Sequence, residues 1–168
     1  LRHEPAVAPL LTALRAVAAA RGYERPRTYI QSGNLVFSAP EGTTRDVASD
    51  LRQGIVEATN LDPAVIVRTR DELAAVIAES PYVARGEDAA HLHVLFLDDD
   101  VAVPGDPGDL SARAPEEATA LGRHVHLFLP KGVGRSRLAA DVARRYGGAG
   151  TMRNWRTVTK LLEMADET

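Results

Sequence analysis

The sequence predicts an α+β fold. Helix-period and strand-period segments alternate along nearly the whole chain. The strand segments are short, and two neighbouring pairs are joined by tight-turn residues. The order of segments also runs twice through the same course.

Pro5 to Arg21 carries Val7, Leu10, Leu11, Leu14 and Val17 at helical spacing, an amphipathic helix. Pro9 would be costly in a helix interior, so it belongs to the first turn. Arg21-Gly22 ends the helix with a basic residue and a glycine. Arg27 to Gln31 and Leu35 to Phe37 read as strands, and Ser32-Gly33-Asn34 between them is turn chemistry. After Pro40 and Gly42, Thr44 caps a helix running to about Ala58 with Val47, Leu51 and Ile55 inward. Val65 to Arg68 reads as a strand, and Asp71 to Ala78 as a helix closed by Ser80-Pro81.

Arg85 to Ala90 is a polar join. His91 to Leu97 is the clearest buried strand. An acidic loop, Asp98 to Gly108, and a short helix near Asp109 to Ala114 follow. Ala118–Leu121 and His124–Leu129 read as a hairpin about Gly122-Arg123. Ser136 caps a helix to Tyr146, and Gly147, Gly148 and Gly150 form a flexible join. A brief strand near Thr151 precedes a last helix, expected to begin at Arg153. The second half therefore reads β-α-β-β-α-β plus a helix. The first half reads the same if a strand precedes its first helix. The predicted architecture is two tandem ferredoxin-like (βαββαβ) subdomains, each followed by a helix, over residues 1–86 and 87–168.

The composition, 45% hydrophobic and 26% charged over 168 residues, suits a globular chain that buries a core. With no cysteine, disulfides, thiolate nucleophiles and cysteine metal sites are excluded together. No apolar run reaches the roughly 20 residues of a membrane helix, and no signal peptide is evident. A cytoplasmic protein with no membrane contact is expected. Arginine far outnumbers lysine, which occurs only at 131 and 160, the bias of a GC-rich bacterial genome.

The net charge is −3, which argues against a long duplex as partner. Residues 131–160 hold eight cations against Asp141 alone, a net +7 that leaves −10 for the rest. A basic zone on an acidic body points to a compact anion. Two stretches could meet it. Gly132-Val133-Gly134-Arg135-Ser136 lies between a strand and a helix start, where exposed amides favour anions and glycine lets a phosphate approach. It is neither a P-loop nor a dinucleotide fingerprint. Arg153, Arg156 and Lys160, with Asn154, would lie on the helix side opposite Trp155, Val158, Leu162 and Ala165. Trp155 leads that apolar stripe and reads as a core anchor. Gln31, Ser32 and Asn34 either bond their own turn or form a polar pocket wall. His91/His93 and His124/His126 are co-facial pairs that would cluster only if their strands neighbour. Without a carboxylate at ligand spacing, no metal is assigned.

Tyr29–Phe37, Gly132–Leu138 and Arg153–Leu161 together resemble, in order, motifs of the domain-of-unknown-function family 1697. The resemblance implies a two-subdomain α+β protein built from ferredoxin-like units and brings no assigned reaction, cofactor or catalytic residue. Members of that family open with a strand ending in a Leu-Arg-Gly-Ile-Asn-Val-Gly-Gly-like loop. Here Leu1-Arg2 match its first two residues and His3-Glu4-Pro5 follows.

The functional expectation is a binding module for a small phosphate-bearing or nucleotide-like anion. Its site residues would be Gly132, Gly134, Arg135, Ser136, Arg153, Asn154, Arg156 and Lys160, with Gln31, Ser32 and Asn34. The alternatives are a single-stranded nucleic-acid contact protein, an enzyme with a pocket between the halves, and a dimer that pairs its basic face with an acidic one. No residue pattern sets the oligomeric state.

Overall fold

The computed structural model describes residues 7–29, 33–100, 113–146 and 150–168. They form six α-helices and two antiparallel sheets, an α+β protein. The chain divides into two compact units, Leu1–Arg70 with Leu161–Thr168, and Asp71–Lys160. The polar join at 85–90 thus lies inside the second unit.

In the first unit, α1 (Val7–Ala20) holds Pro9 in its first turn, as the sequence requires. Its end is a Schellman arrangement: Gly22 takes φ +82°, its N–H donates to Ala19 O, and Tyr23 N–H donates to Ala18 O. β1 (Glu24–Tyr29) pairs antiparallel with β2 (Asn34–Ser38). β1 starts three residues earlier than the pattern indicates, because the register shifts between Glu24 and Arg27. Pro26 sits in that irregularity, where its missing N–H is tolerated. α2 (Thr44–Thr59) is capped by Thr43, not Thr44; its hydroxyl accepts from Asp46 N–H at 3.1 Å. Asn60 ends it in the left-handed region at φ +57°.

Val17, Ala18, Tyr23, Leu51 and Ile55 form the core, with Leu14, Leu35, Phe37, Val47, Val65 and Val67 against it. The expected strand at 65–68 forms no ladder among the described residues. Its alternation still puts Val65 and Val67 on the core. Burial alone satisfies the pattern, whereas a strand also needs a partner. The C-terminal end of α6 (Trp155–Asp166) belongs to this unit. There Arg27 donates to Met164 O and Thr168 Oγ1 and pairs with Glu167. A guanidinium is a natural partner for the unsatisfied carbonyls of a helix end.

In the second unit come α3 (Arg70–Ala78) and the short α4 (Pro81–Ala84), which the sequence reading missed. Ser80-Pro81 closes one helix and opens the next. The Ser80 hydroxyl accepts from Val83 N–H, and Pro81 takes the first helical position. β3 (Leu92–Leu97), β4 (Glu117–Leu121), β5 (His124–Phe128) and β6 (Gly150–Asn154) make one sheet in the order β4-β5-β3-β6, every pair antiparallel. α5 (Arg137–Tyr146) follows β5. The acidic loop after Asp100 and the short helix expected before Ala114 lie mostly outside the described residues, as do Gly147 and Gly148.

Both faces of the central strands are buried; all six residues of β3 and all five of β5 are inside. On one face Leu95, Leu97, Ala118, Ala120, Val125 and Leu127 pack with Leu138, Ala139 and Val142 of α5. The other face is met by α3, α4 and the start of α6. Tyr82 O–H and Thr119 Oγ1 share a hydrogen bond of 2.9 Å, and the rings of Tyr82 and Phe128 are 6.0 Å apart.

Candidate functional site

The candidate residues of the second unit gather at one end of its sheet, and the register explains why. Phe128, the last residue of β5, pairs with Leu92, the first of β3. Asn154, the last of β6, pairs with His93. The 129–136 segment and α6 therefore leave the sheet at the same end, with β3 between them. Two strand spacings put their origins about 10 Å apart.

Gly132 takes φ +82° ahead of a single 3-10 turn, Val133–Arg135. Lys131, Gly134, Arg135 and Arg137 are exposed, and a Cβ added at Gly134 would meet nothing within 4 Å. Ser136 is buried and caps α5, its hydroxyl accepting from Ala139 N–H at 2.8 Å. The helix start also meets a carboxylate: Glu116, 8% exposed, accepts from Leu138 N–H at 3.2 Å. The attraction of this N-terminus for negative charge is thus met from within the chain. No spacing rule points to Glu116. It lies 22 residues from Leu138 and is brought there by the β4–β5 hairpin.

The sequence reading put Arg153 on the last helix, in line with Arg156 and Lys160. The structure corrects this. Arg153 is on β6, opposite Val94. Helical and strand periods both fit so short a run, and the ladder with β3 decides between them. Its half-buried guanidinium donates to Thr151 Oγ1 and Met152 O, and desolvation lowers its pKa. Asn154 is the helix cap, with Oδ1 accepting from Thr157 N–H at 2.8 Å. Trp155 and Val158 of the apolar stripe are buried, and Leu162 and Ala165 are half-buried. Arg156 is exposed and Lys160 half-buried.

The capping bond makes a prediction. Asn154→Ala is expected to cost about 1 kcal/mol of stability by loss of the cap. Asn154→Asp, which keeps the acceptor, should recover most of it in urea titration. If Asn154→Ala is neutral, the bond does not support the helix.

Asn34 belongs to the first unit. It is buried, and its amide donates to Tyr29 O at 3.0 Å, so it braces its own turn. Gln31 and Ser32 lie outside the described residues. The histidine pairs separate. β3 and β5 are neighbours, but His93 pairs with Leu127 and faces α5, whereas His124 and His126 face the other side. No group of three or more His, Cys, Asp or Glu suited to a metal occurs among the described residues.

Residues 9–126 match the family described as protein of unknown function, DUF1697. The chain belongs to this family. The matched stretch includes the Tyr29–Phe37 motif of this DUF1697 chain, and the Gly132–Leu138 and Arg153–Leu161 motifs lie beyond it. No curated protein and no solved structure matches the chain. No helix among the described residues is long and apolar enough to cross a membrane.

Proposed function

We propose that this DUF1697 protein binds a compact phosphate-bearing or nucleotide-like anion at the end of the β4-β5-β3-β6 sheet. The observation that carries the reading is the common exit of β5 and β6. It brings exposed Lys131, Arg135 and Arg137 to the same sheet end as exposed Arg156. Guanidinium groups hold phosphate oxygens in two-pronged hydrogen bonds. Because Ser136 and Glu116 already occupy the amides at the start of α5, the ligand is held by side chains and by the open backbone at Gly134.

The same reading includes two ferredoxin-like units. In the second, the all-antiparallel order β4-β5-β3-β6, with α5 between β5 and β6 in the chain, supports a βαββαβ course. In the first, the succession α1-β1-β2-α2 supports part of it. The burial of β3 and β5 on both sides favours a small ligand over a single strand of nucleic acid, which would need an open sheet face for its bases.

Calorimetric titration with inorganic phosphate, nucleoside monophosphates and diphosphates, and sugar phosphates tests the proposal. At least one is expected to bind, less tightly as salt rises, and at least tenfold more weakly to the Arg135→Ala/Arg156→Ala double variant. Hits whose affinity ignores both substitutions, or an absence of hits, would sink it. Product release from a bound ester would turn the binding site into an enzyme's.

A further inference from the structure

On the sheet face away from α5, β5 carries two buried imidazoles. His126 is 1% exposed, and its Nε2 has no hydrogen-bond partner among the described residues. The His124 ring stands edge-on to it at 5.0 Å, the planes at 89°. By register, Thr119 flanks His126 on β4, Val94 flanks it on β3, and Arg153 lies one strand further on β6. α3 brings Glu72, which accepts from Arg123 at the hairpin turn at 2.7 Å, and the residue after its end, Glu79, has its Oε2 3.3 Å from His124 Nε2. α4 brings Tyr82, bonded to Thr119. α6 brings Trp155, its ring 6.5 Å from that of His126.

A proton on His126 would put a positive charge in this site beside His124 and in the row of Arg153. The carboxylates here are already engaged, Glu79 with His124, Glu72 with Arg123 and Glu117 of β4 with Arg85. A buried charge without a hydrogen-bond partner is costly, and the face relieves it by admitting water. The α5 side is closed by an apolar core with the single buried imidazole of His93 at its edge, whereas the α3–α4 side is joined partly through polar contacts.

We propose that the His124–His126 pair is an acid-sensitive latch: protonation of His126 releases the α3–α4 segment from the sheet and leaves α5 in place. Burial, and then the charge of His124, hold the His126 pKa down to about 4 in the closed form. An open form would titrate near the ordinary value of about 6.5. Between those values the open form binds the proton and the closed form does not. Closure is therefore unaffected above pH ~6.5 and weakens as pH falls, by roughly 160-fold at pH ~4 and towards a limit of roughly 300-fold below it.

Trp155 is the only tryptophan and reports the event directly. Its emission should shift to the red in an acid transition. In that transition the amides of residues 71–78 should lose hydrogen-exchange protection before those of α5. In His126→Leu the midpoint should move to lower pH. An unchanged midpoint in that variant, or loss of α5 protection at the same pH, would overturn the latch. If His126→Leu does not fold, imidazole titration of the wild-type protein by NMR decides the matter. A His126 that titrates near 6.5 while residues 71–78 stay protected also overturns it.

Discussion

Leu138→Ala is expected to lower the stability of the second unit by about 2–5 kcal/mol. Leu138 is fully buried in the first turn of α5 and packs with Val125, Leu127, Leu129 and Val142. The cost of such a truncation depends on how far its neighbours can close the cavity. Here they have little freedom. Val125 and Leu127 belong to a strand paired on both sides, and the amide of Leu138 itself is held by Glu116. The expected value therefore lies in the upper half of that range. Urea denaturation followed by Trp155 emission measures it, since the tryptophan belongs to the same unit. A loss below ~1 kcal/mol would show that the start of α5 relaxes freely. The Gly132–Ser136 turn would then be a poorly supported part of any binding site.

Three strands of the second unit's sheet, β3, β4 and β5, announce themselves locally. His91 to Leu97 is apolar but for its two histidines, and Gly122-Arg123 marks a hairpin turn between two short β runs. Ser136 announces the cap of α5 in the same way. Other features had no local signature. At Arg153 a basic residue at helical spacing suggests helix, and only its pairing with Val94 shows that the helix starts later, at Trp155. Pro81 looked like an ending, although proline also begins helices, and α4 was lost for that reason.

For the candidate site, charge and spacing name residues but do not give their arrangement. The common sheet end of the 132–136 and 154–156 stretches follows from strand order, which composition does not encode. Charge counting drew attention to Arg135 and Arg156 but could not see that Asn154 and Ser136 serve as caps or that Asn34 serves its own turn. It also passed over Glu116, whose role depends on a partner 22 residues away. Long-range pairing is the information that residue spacing lacks.

Gly150→Val is expected to destabilise the same unit by about 3 kcal/mol or more, at the upper end of overpacking effects. Gly150 lies opposite Leu97 in the β3–β6 ladder. A Cβ there would stand 2.7 Å from Phe96 O, 2.8 Å from Leu97 Cδ2 and 3.1 Å from Leu95 Cδ1. The first of these is a backbone atom of the central strand. It cannot step aside without disturbing the pairing of β3 with β5 on its other side. The strand that yields is β6, and with it go Arg153, the Asn154 cap and the seat of Trp155. Valine adds two methyl groups to a clash that alanine already creates, so the loss should rise from glycine to alanine to valine. Gly134→Ala is the control, because an added Cβ there meets nothing within 4 Å; it should change stability by no more than about 0.5 kcal/mol. Equal stability for Gly150→Val and the wild type in urea titration would mean that β6 does not lie against β3 as described. The shared exit of β5 and β6, on which the binding proposal stands, would fall with it.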